Sequence, residues 1–361
     1  MSAHHHSRKL LLPALIGLAL SAPASLFAQE ASDNEVGLEE VIVTATRMRE
    51  SLQDIPVSVS ALSAQQMEFR NIENTRDLQA SVPNISISAN TGTASGGRIF
   101  IRGIGDDESR IGADSAVAAY VDDVYIARQT GALIDLLDLE RVEVLRGPQG
   151  TLYGRNATGG AIKYVSKRPD ASANTLDLYA TIGNYDRYDL KAVGNVAIGE
   201  NNAIRASVMR RKRDGVFIAW SDGADIGAFD TTSARVAWQS ELANDWTIYL
   251  AADYVEDESD PIPTSVPEGF DRDNNIYTLD PPETVDCRNA PQNLWSGCFE
   301  DYSSKVESKG AILDISGPLG TFTFRSLTGY RELEDDLNSN FGSFNYQQQT
   351  DQDQILSLIH I

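Results

Sequence analysis

Leu139–Pro169, LERVEVLRGPQGTLYGRNATGGAIKYVSKRP, is the stretch on which the reading of this chain turns. Its opening residues, Arg141-Val142-Glu143-Val144-Leu145, alternate polar and apolar as a strand does. Arg146-Gly147-Pro148-Gln149-Gly150 follows, where Gly and Pro demand a tight turn. Tyr153-Gly154-Arg155 and Ala157-Thr158-Gly159-Gly160 then lead into a second strand, Ala161-Ile162-Lys163-Tyr164-Val165. The pattern predicts a compact, non-helical unit of two strands joined by a glycine-dense elbow, with backbone packed closely on backbone.

Upstream, residues 51–138 read as a mixed α+β run. Ile55–Ser60 alternates as a strand, Ser63 is a candidate N-cap for a short helix, and Thr75 is the expected cap of a second. Asn84–Ser88 and Ile99–Gly103 read as strands, and Ala119–Tyr125 as strand, turn and strand. The segments 91–97 and 105–115 are loops, the second carrying Asp106, Asp107, Glu108 and Arg110. These acids lack the spacing of a calcium loop and read as solvated. Gly154–Lys163 has the glycine density of a phosphate loop, but no Gly-Lys-Ser/Thr follows, so nucleotide binding is not expected.

The first 28 residues read as an export signal. Arg8 and Lys9 precede an apolar run over Leu10–Ala22, and Leu26-Phe27-Ala28 is a cleavage site. The run is shorter than the roughly 20 residues a membrane-spanning helix needs. His4, His5 and His6 fall in the segment expected to be removed and are not read as a metal site. Residues 29–50 form a polar tether ending in Glu39-Glu40-Val41-Ile42-Val43-Thr44-Ala45, two acids and a β-prone run. Such a run beside a tether can add as a strand to another protein's sheet edge, or can be the buried first strand of the domain that follows.

From Asn174 the pattern changes to long alternating strands, about eight of them, joined alternately by short turns and long loops, as in an outer-membrane barrel. Trp238, Trp246, Tyr249 and Tyr254 are candidates for an aromatic girdle. The longest connection, Glu256–Tyr302, contains Cys287 and Cys298, read as one loop disulfide in an oxidising compartment. An eight-stranded barrel is filled by its own side chains and has no room for a domain the size of residues 51–169.

Composition excludes several functions. A net charge of −22 repels nucleic acid. No His lies between His6 and His360, and no Ser/His/Asp or Cys/His set can be assembled, so no enzyme is expected.

Together these motifs resemble the TonB-dependent outer-membrane receptors over nearly the whole chain. The resemblance rests on Ile101-Arg102-Gly103, Val121-Asp122-Asp123-Val124 with Asp123 where the family has Gly, and Leu145-Arg146-Gly147-Pro148. It implies a signal peptide at 1–28, a periplasmic tether with a TonB box at 29–50, an α+β plug domain at 51–169, and an antiparallel transmembrane β-barrel begun at 170–361. About 22 strands are expected in all, so the barrel reads as incomplete. Residues 355–361 stop within a strand and lack the terminal aromatic residue of complete barrels. So few residues separate the cleavage site from the box that an extra N-terminal signalling domain is not expected.

The resemblance further implies active transport of a scarce extracellular ligand, such as a ferric siderophore, by a monomer in the outer membrane of a Gram-negative bacterium. The energy-coupling protein TonB, with its inner-membrane proton-motive complex, would engage Glu39–Ala45. The plug motif would comprise Gly103, Arg141, Glu143, Gly147, Pro148, Gly150, Gly154, Gly159 and Gly160. Arg102 and Arg146 would latch the plug to barrel glutamates, and Arg98, Asp106, Asp107 and Arg110 would lie on ligand-facing loops. No cofactor is implied, an iron chelate being cargo. Two alternatives stay open: a passive porin or adhesin with an inserted domain, whose box would not meet TonB, and a secreted β-rich enzyme, soluble without detergent.

Overall fold

The computed structural model describes residues 42–48, 50–89, 96–106, 114–127, 137–219, 225–260, 294–295, 303–340 and 345–360. The export signal, Glu39, Glu40, Val41, Asp107, Arg110, Cys287 and Cys298 lie outside the described residues.

The predicted strand–elbow–strand unit is the centre of the first domain. Its strands, β9 (Leu139–Arg146) and β10 (Gly160–Ser166), pair antiparallel with Lys163 directly opposite Glu143. The N-terminal β1 (Ile42–Val43) and β2 (Glu50–Ser51) pair with each other. In the central sheet β3 (Val59–Ser63) lies on one side of β9, and β7 (Val117–Val121) with β8 (Val124–Ile126) lies beyond β10, in the order β3-β9-β10-β7-β8. A smaller sheet joins β4 (Ile85–Ala89), β5 (Gly97–Ile101) and β6 (Ile104–Gly105). The strand expected over Ile55–Ser60 begins later, because Pro56 has no N–H to give a ladder; pairing starts at Val59, opposite Leu145.

Alternation along β9 and β10 gives the central sheet two unlike faces. Val142, Val144, Ile162 and Tyr164 point to a core with Leu62, Met67, Leu78 and Ile101. Each such side chain contributes about 1.5–3 kcal/mol by leaving water. Glu143 and Lys163 necessarily point the other way, and both are buried.

Local caps follow local rules. Ser63 caps α1 (Ala64–Phe69) in a reciprocal pair with Gln66. The next turn, Thr75–Ala80, is 3-10 and is capped by Asn74, not Thr75. Thr75 is instead fully buried, its hydroxyl 3.0 Å from the Tyr164 hydroxyl. The elbow is not wholly non-helical as expected. Once Gln149 N–H bonds the Ala157 carbonyl, Gly150–Tyr153 closes into one helical turn, α2. The β7–β8 turn places Asp122 and Asp123 at φ 47° and 69°, the left-handed pair of a tight hairpin turn that Asp tolerates.

The second part is a meander of antiparallel strands: β11 (Thr175–Ile182), β12 (Tyr188–Ala197), β13 (Asn202–Arg213), β16 (Phe229–Glu241), β17 (Thr247–Asp257), β19 (Ser303–Leu319), β20 (Phe322–Asn340) and β21 (Asn345–His360). A small sheet of β14 (Phe217–Ala219), β15 (Asp225–Ile226) and β18 (Leu294–Trp295) accompanies it. On the long strands Ala203, Arg205, Ser207 and Met209 are buried, while Val208, Val236, Leu250 and Leu313 are exposed. Exposed apolar residues on one face and covered mixed residues on the other are what a lipid-facing sheet requires. Tyr249, a girdle candidate, belongs to the covered face, with its hydroxyl on Arg235. No helix among the described residues is long and apolar enough to cross a membrane.

Gly160→Ala should destroy the plug, because the new Cβ would sit 2.2 Å from the Leu145 carbonyl oxygen at a φ of +152°. Gly150→Ala, with nothing within 4 Å, should be neutral. Protease resistance of the detergent-solubilised protein distinguishes the two variants.

Candidate functional site

The polar face of the central sheet is covered by the chain's own N-terminal segment. Val43 and Ala45 are 0% and 1% exposed, and Thr44 between them meets the two buried charges. Its N–H donates to Glu143 Oε1 at 2.8 Å, and its carbonyl accepts from Lys163 Nζ at 2.8 Å. The Thr44 hydroxyl bridges the same pair, 3.1 Å from Glu143 Oε1 and 2.8 Å from Lys163 Nζ. Arg141 Nε joins them on Glu143 Oε1 at 2.7 Å, while among the described residues the buried Oε2 takes no hydrogen bond. Tyr153, on α2, donates its hydroxyl to the Ala45 carbonyl at 2.7 Å, and burial pushes its phenol well above the ordinary range. The Arg47 guanidinium lies 4.9 Å from the Tyr153 ring centre, within cation–π range. The segment is thus held through main-chain atoms of Thr44 and Ala45 and, equally, through the Thr44 hydroxyl.

A second set of charges joins the plug to the barrel sheet. Asp122 pairs with Arg235, which also holds Asp253 at 3.3 Å and the Tyr249 hydroxyl at 2.9 Å. Asp123 divides its two oxygens: Oδ1 lies 2.9 Å from Lys163 and Oδ2 lies 3.1 Å from Arg325. Arg325 and Arg168 also converge on Asp314, at 3.0 and 2.8 Å. Asp138 takes a two-pronged grip from Arg205, both contacts 2.6 Å. Glu73 reaches Arg187 and Arg211 at 3.5 and 3.3 Å. Asp122, Asp123, Asp138 and Glu73 are plug carboxylates facing barrel guanidinium groups, whereas Arg168–Asp314 runs the other way, plug guanidinium to barrel carboxylate. Burial alone would raise the Asp123 carboxyl; Lys163 and Arg325 outweigh it and hold the group well below the usual carboxylate range.

The residues expected from sequence are placed as follows. Arg141 and Glu143 are in the seat of Thr44. Gly159 and Gly160 lie against the Ile104 and Leu145 carbonyls, and Gly103, Gly147 and Gly154 adopt positive φ. Gly150 opens α2, and Pro148 lies in the elbow before it. Arg102, at φ 54°, bonds Ser58 Oγ at 3.2 Å, while Arg146 Nε is buried without a hydrogen bond; among the described residues neither has an ion pair. Arg98 lies on β5 opposite Ser88, and Asp106 directly follows β6. Lys163, Asp122, Asp138, Arg205, Arg235 and Arg325 are not singled out by the sequence, and Asp123 stands out there only as a departure from the related pattern, with no role attached. A signal was present for two of them: a lysine within an apolar strand and an aspartate at a turn position where the related pattern has glycine.

Residues 51–161 match the family described as the TonB-dependent Receptor Plug Domain. The chain carries the plug of the TonB-dependent receptors. An iron-regulated outer membrane virulence protein of Vibrio cholerae is 32% identical over 164 residues, covering 42% of this chain and 23% of that protein. The vitamin B12 transporter BtuB of Vibrio vulnificus is 30% identical over 173 residues, covering 47% of this chain and 27% of BtuB. In fold, the ferric yersiniabactin uptake receptor FyuA of Yersinia pestis superposes with a TM-score of 0.69 at 20% identity, over 84% of this chain and 45% of FyuA. The matched length is therefore about a quarter of these curated relatives and under half of the solved receptor. The plug places the protein in the outer membrane, where the apolar outward face of its strands is at home.

Arg205→Met should lower stability by about 3–5 kcal/mol by stranding buried Asp138, whereas the double change Arg205→Met with Asp138→Asn should recover much of the loss. Denaturant unfolding in detergent measures both. Because Asp123 is depressed in the folded state, its contribution is complete above its unfolded pKa of about 3.9 and is lost only as pH falls through the lower folded value. Protease resistance of the plug should therefore stay flat from pH 8 to pH 5.

Proposed function

We propose that this chain belongs to a receptor that takes up a scarce extracellular ligand, a ferric siderophore, by TonB-dependent active transport across the outer membrane. The observation that carries the reading is the seat of Ile42–Ala45. A β-prone segment close behind the export signal is held on the plug by three main-chain hydrogen bonds together with those of the Thr44 hydroxyl. Such a segment can exchange its plug partners for the strand edge of another protein, since backbone groups are the currency of both contacts. Glu39–Ala45 is the TonB box in this reading. TonB, energised by the inner-membrane proton gradient, would draw it away and move the plug.

The ligand would meet Arg98, Asp106, Asp107 and Arg110 on the plug apices and the loop Glu256–Tyr302, stiffened by a Cys287–Cys298 disulfide. Arg102 and Arg146 would latch the plug to carboxylates further round the barrel wall. Support for iron comes from the iron-regulated relative and from the fold shared with a ferric-siderophore receptor. The similarity to BtuB favours cobalamin as the second reading.

Deleting Glu39–Ala45 should abolish energy-dependent uptake of the ferric chelate and leave surface binding intact. Undiminished uptake would overturn the mechanism. Competition for binding by cobalamin, with none by ferric chelates, would replace the proposed ligand.

A further inference from the structure

The position of Thr44 and the plug's grip on the barrel converge on one ammonium group. Lys163 Nζ is 2.8 Å from both the carbonyl and the hydroxyl of Thr44, and 2.9 Å from Asp123 Oδ1. The other oxygen of Asp123 faces Arg325 of β20 at 3.1 Å. Lys163 and Asp123 are almost wholly covered, their side chains 2% and 11% exposed. In such surroundings a charge that loses one partner draws harder on those remaining, because water does not replace the lost contact.

We propose that Lys163 and Asp123 form a relay through which the seating of Thr44 and the Asp123–Arg325 contact stabilise one another. With Arg325 in place, the charge of Asp123 is divided between two cations, and Lys163 is free to hold Thr44 by two hydrogen bonds. Withdrawal of Thr44 leaves Lys163 to Asp123 and Glu143, and Asp123 then binds Arg325 less firmly. Linkage requires the reverse as well: loss of Arg325 pulls Lys163 toward Asp123 and loosens Thr44. Asp138–Arg205 shares no atom with this run, so it anchors the plug without reporting on the N-terminal segment. The Asp at position 123 is what makes the relay. Glycine would suit the φ of 69° there and would supply no carboxylate. The inference deepens the transport reading by naming how a pull on the box reaches the barrel wall, but the coupling is a property of the fold and needs neither TonB nor ligand.

The test uses the intact receptor in outer-membrane preparations with Cys287 and Cys298 changed to Ser and a reporter Ala45→Cys, whose position is 1% exposed when seated. The rate of maleimide labelling reads unseating. Arg325→Met should raise that rate at least about fivefold, the low end of ordinary coupling between sites. Asp314 keeps Arg168 in that variant. Arg205→Met should leave the rate unchanged. In an Asp123→Gly background, or Asp123→Asn if the glycine variant is poorly assembled, Arg325→Met should have no further effect. An unchanged rate in Arg325→Met would overturn the relay. So would an equal rise in Arg205→Met, which would mean general loosening, or a full Arg325→Met effect without the Asp123 carboxylate. Because the assay measures no uptake, its failure leaves the transport reading intact, and failed transport leaves the relay intact.

Discussion

A buried charge must be matched, and that requirement organises this molecule. Strand alternation in β9 and β10 turns Val142, Val144, Ile162 and Tyr164 toward one core and forces Glu143 and Lys163 onto the opposite face. Removing both from water costs several kcal/mol per ion unless partners replace the hydration. Their mutual distance of 3.8 Å is too long to satisfy either. The main chain of Thr44 supplies a donor to one and an acceptor to the other, and Arg141 and Asp123 add a further partner to each. A segment that reads as a tether thus becomes part of the domain's electrostatic closure.

The same requirement sets the plug–barrel interface. Asp122 and Asp123 stand at a hairpin tip and Asp138 at the entry to β9, each in a left-handed backbone conformation that Asp tolerates. Guanidinium groups of Arg205, Arg235 and Arg325 meet them from the inward face of the strands. Arginine suits this place, since its planar fork can take a carboxylate in two contacts and keeps its charge under burial. The expected polarity, plug arginine to barrel carboxylate, attaches to Arg102 and Arg146. Among the described residues that polarity appears at Arg168–Asp314, while Asp122, Asp123, Asp138 and Glu73 take the reverse one and meet arginines on the inner wall.

Much of the architecture was legible because it depends on short-range rules. Ser63 and Gln66 cap a helix three residues apart; Gly147 and Pro148 end a strand by their own backbone restrictions; period-two alternation announces each strand of the meander. Misreadings came where a distant partner decided. Thr75 resembled a cap but is buried beneath Tyr164, and Tyr249 resembled a girdle residue but turns inward to Arg235. The helical turn at Gly150–Tyr153 depends on a carbonyl brought back by the elbow itself.

Propensity, turn chemistry and periodicity act over a few residues, so the sequence alone settled most of the strands, the place of the glycine elbow and the change from mixed plug to alternating strands. Only the tertiary structure decided which charges meet. Thr44 and Lys163 are 119 positions apart, and Asp138 and Arg205 are 67 apart, so no local pattern encodes either contact. Their pairing is settled by which faces are buried together, and burial is a property of the assembled fold.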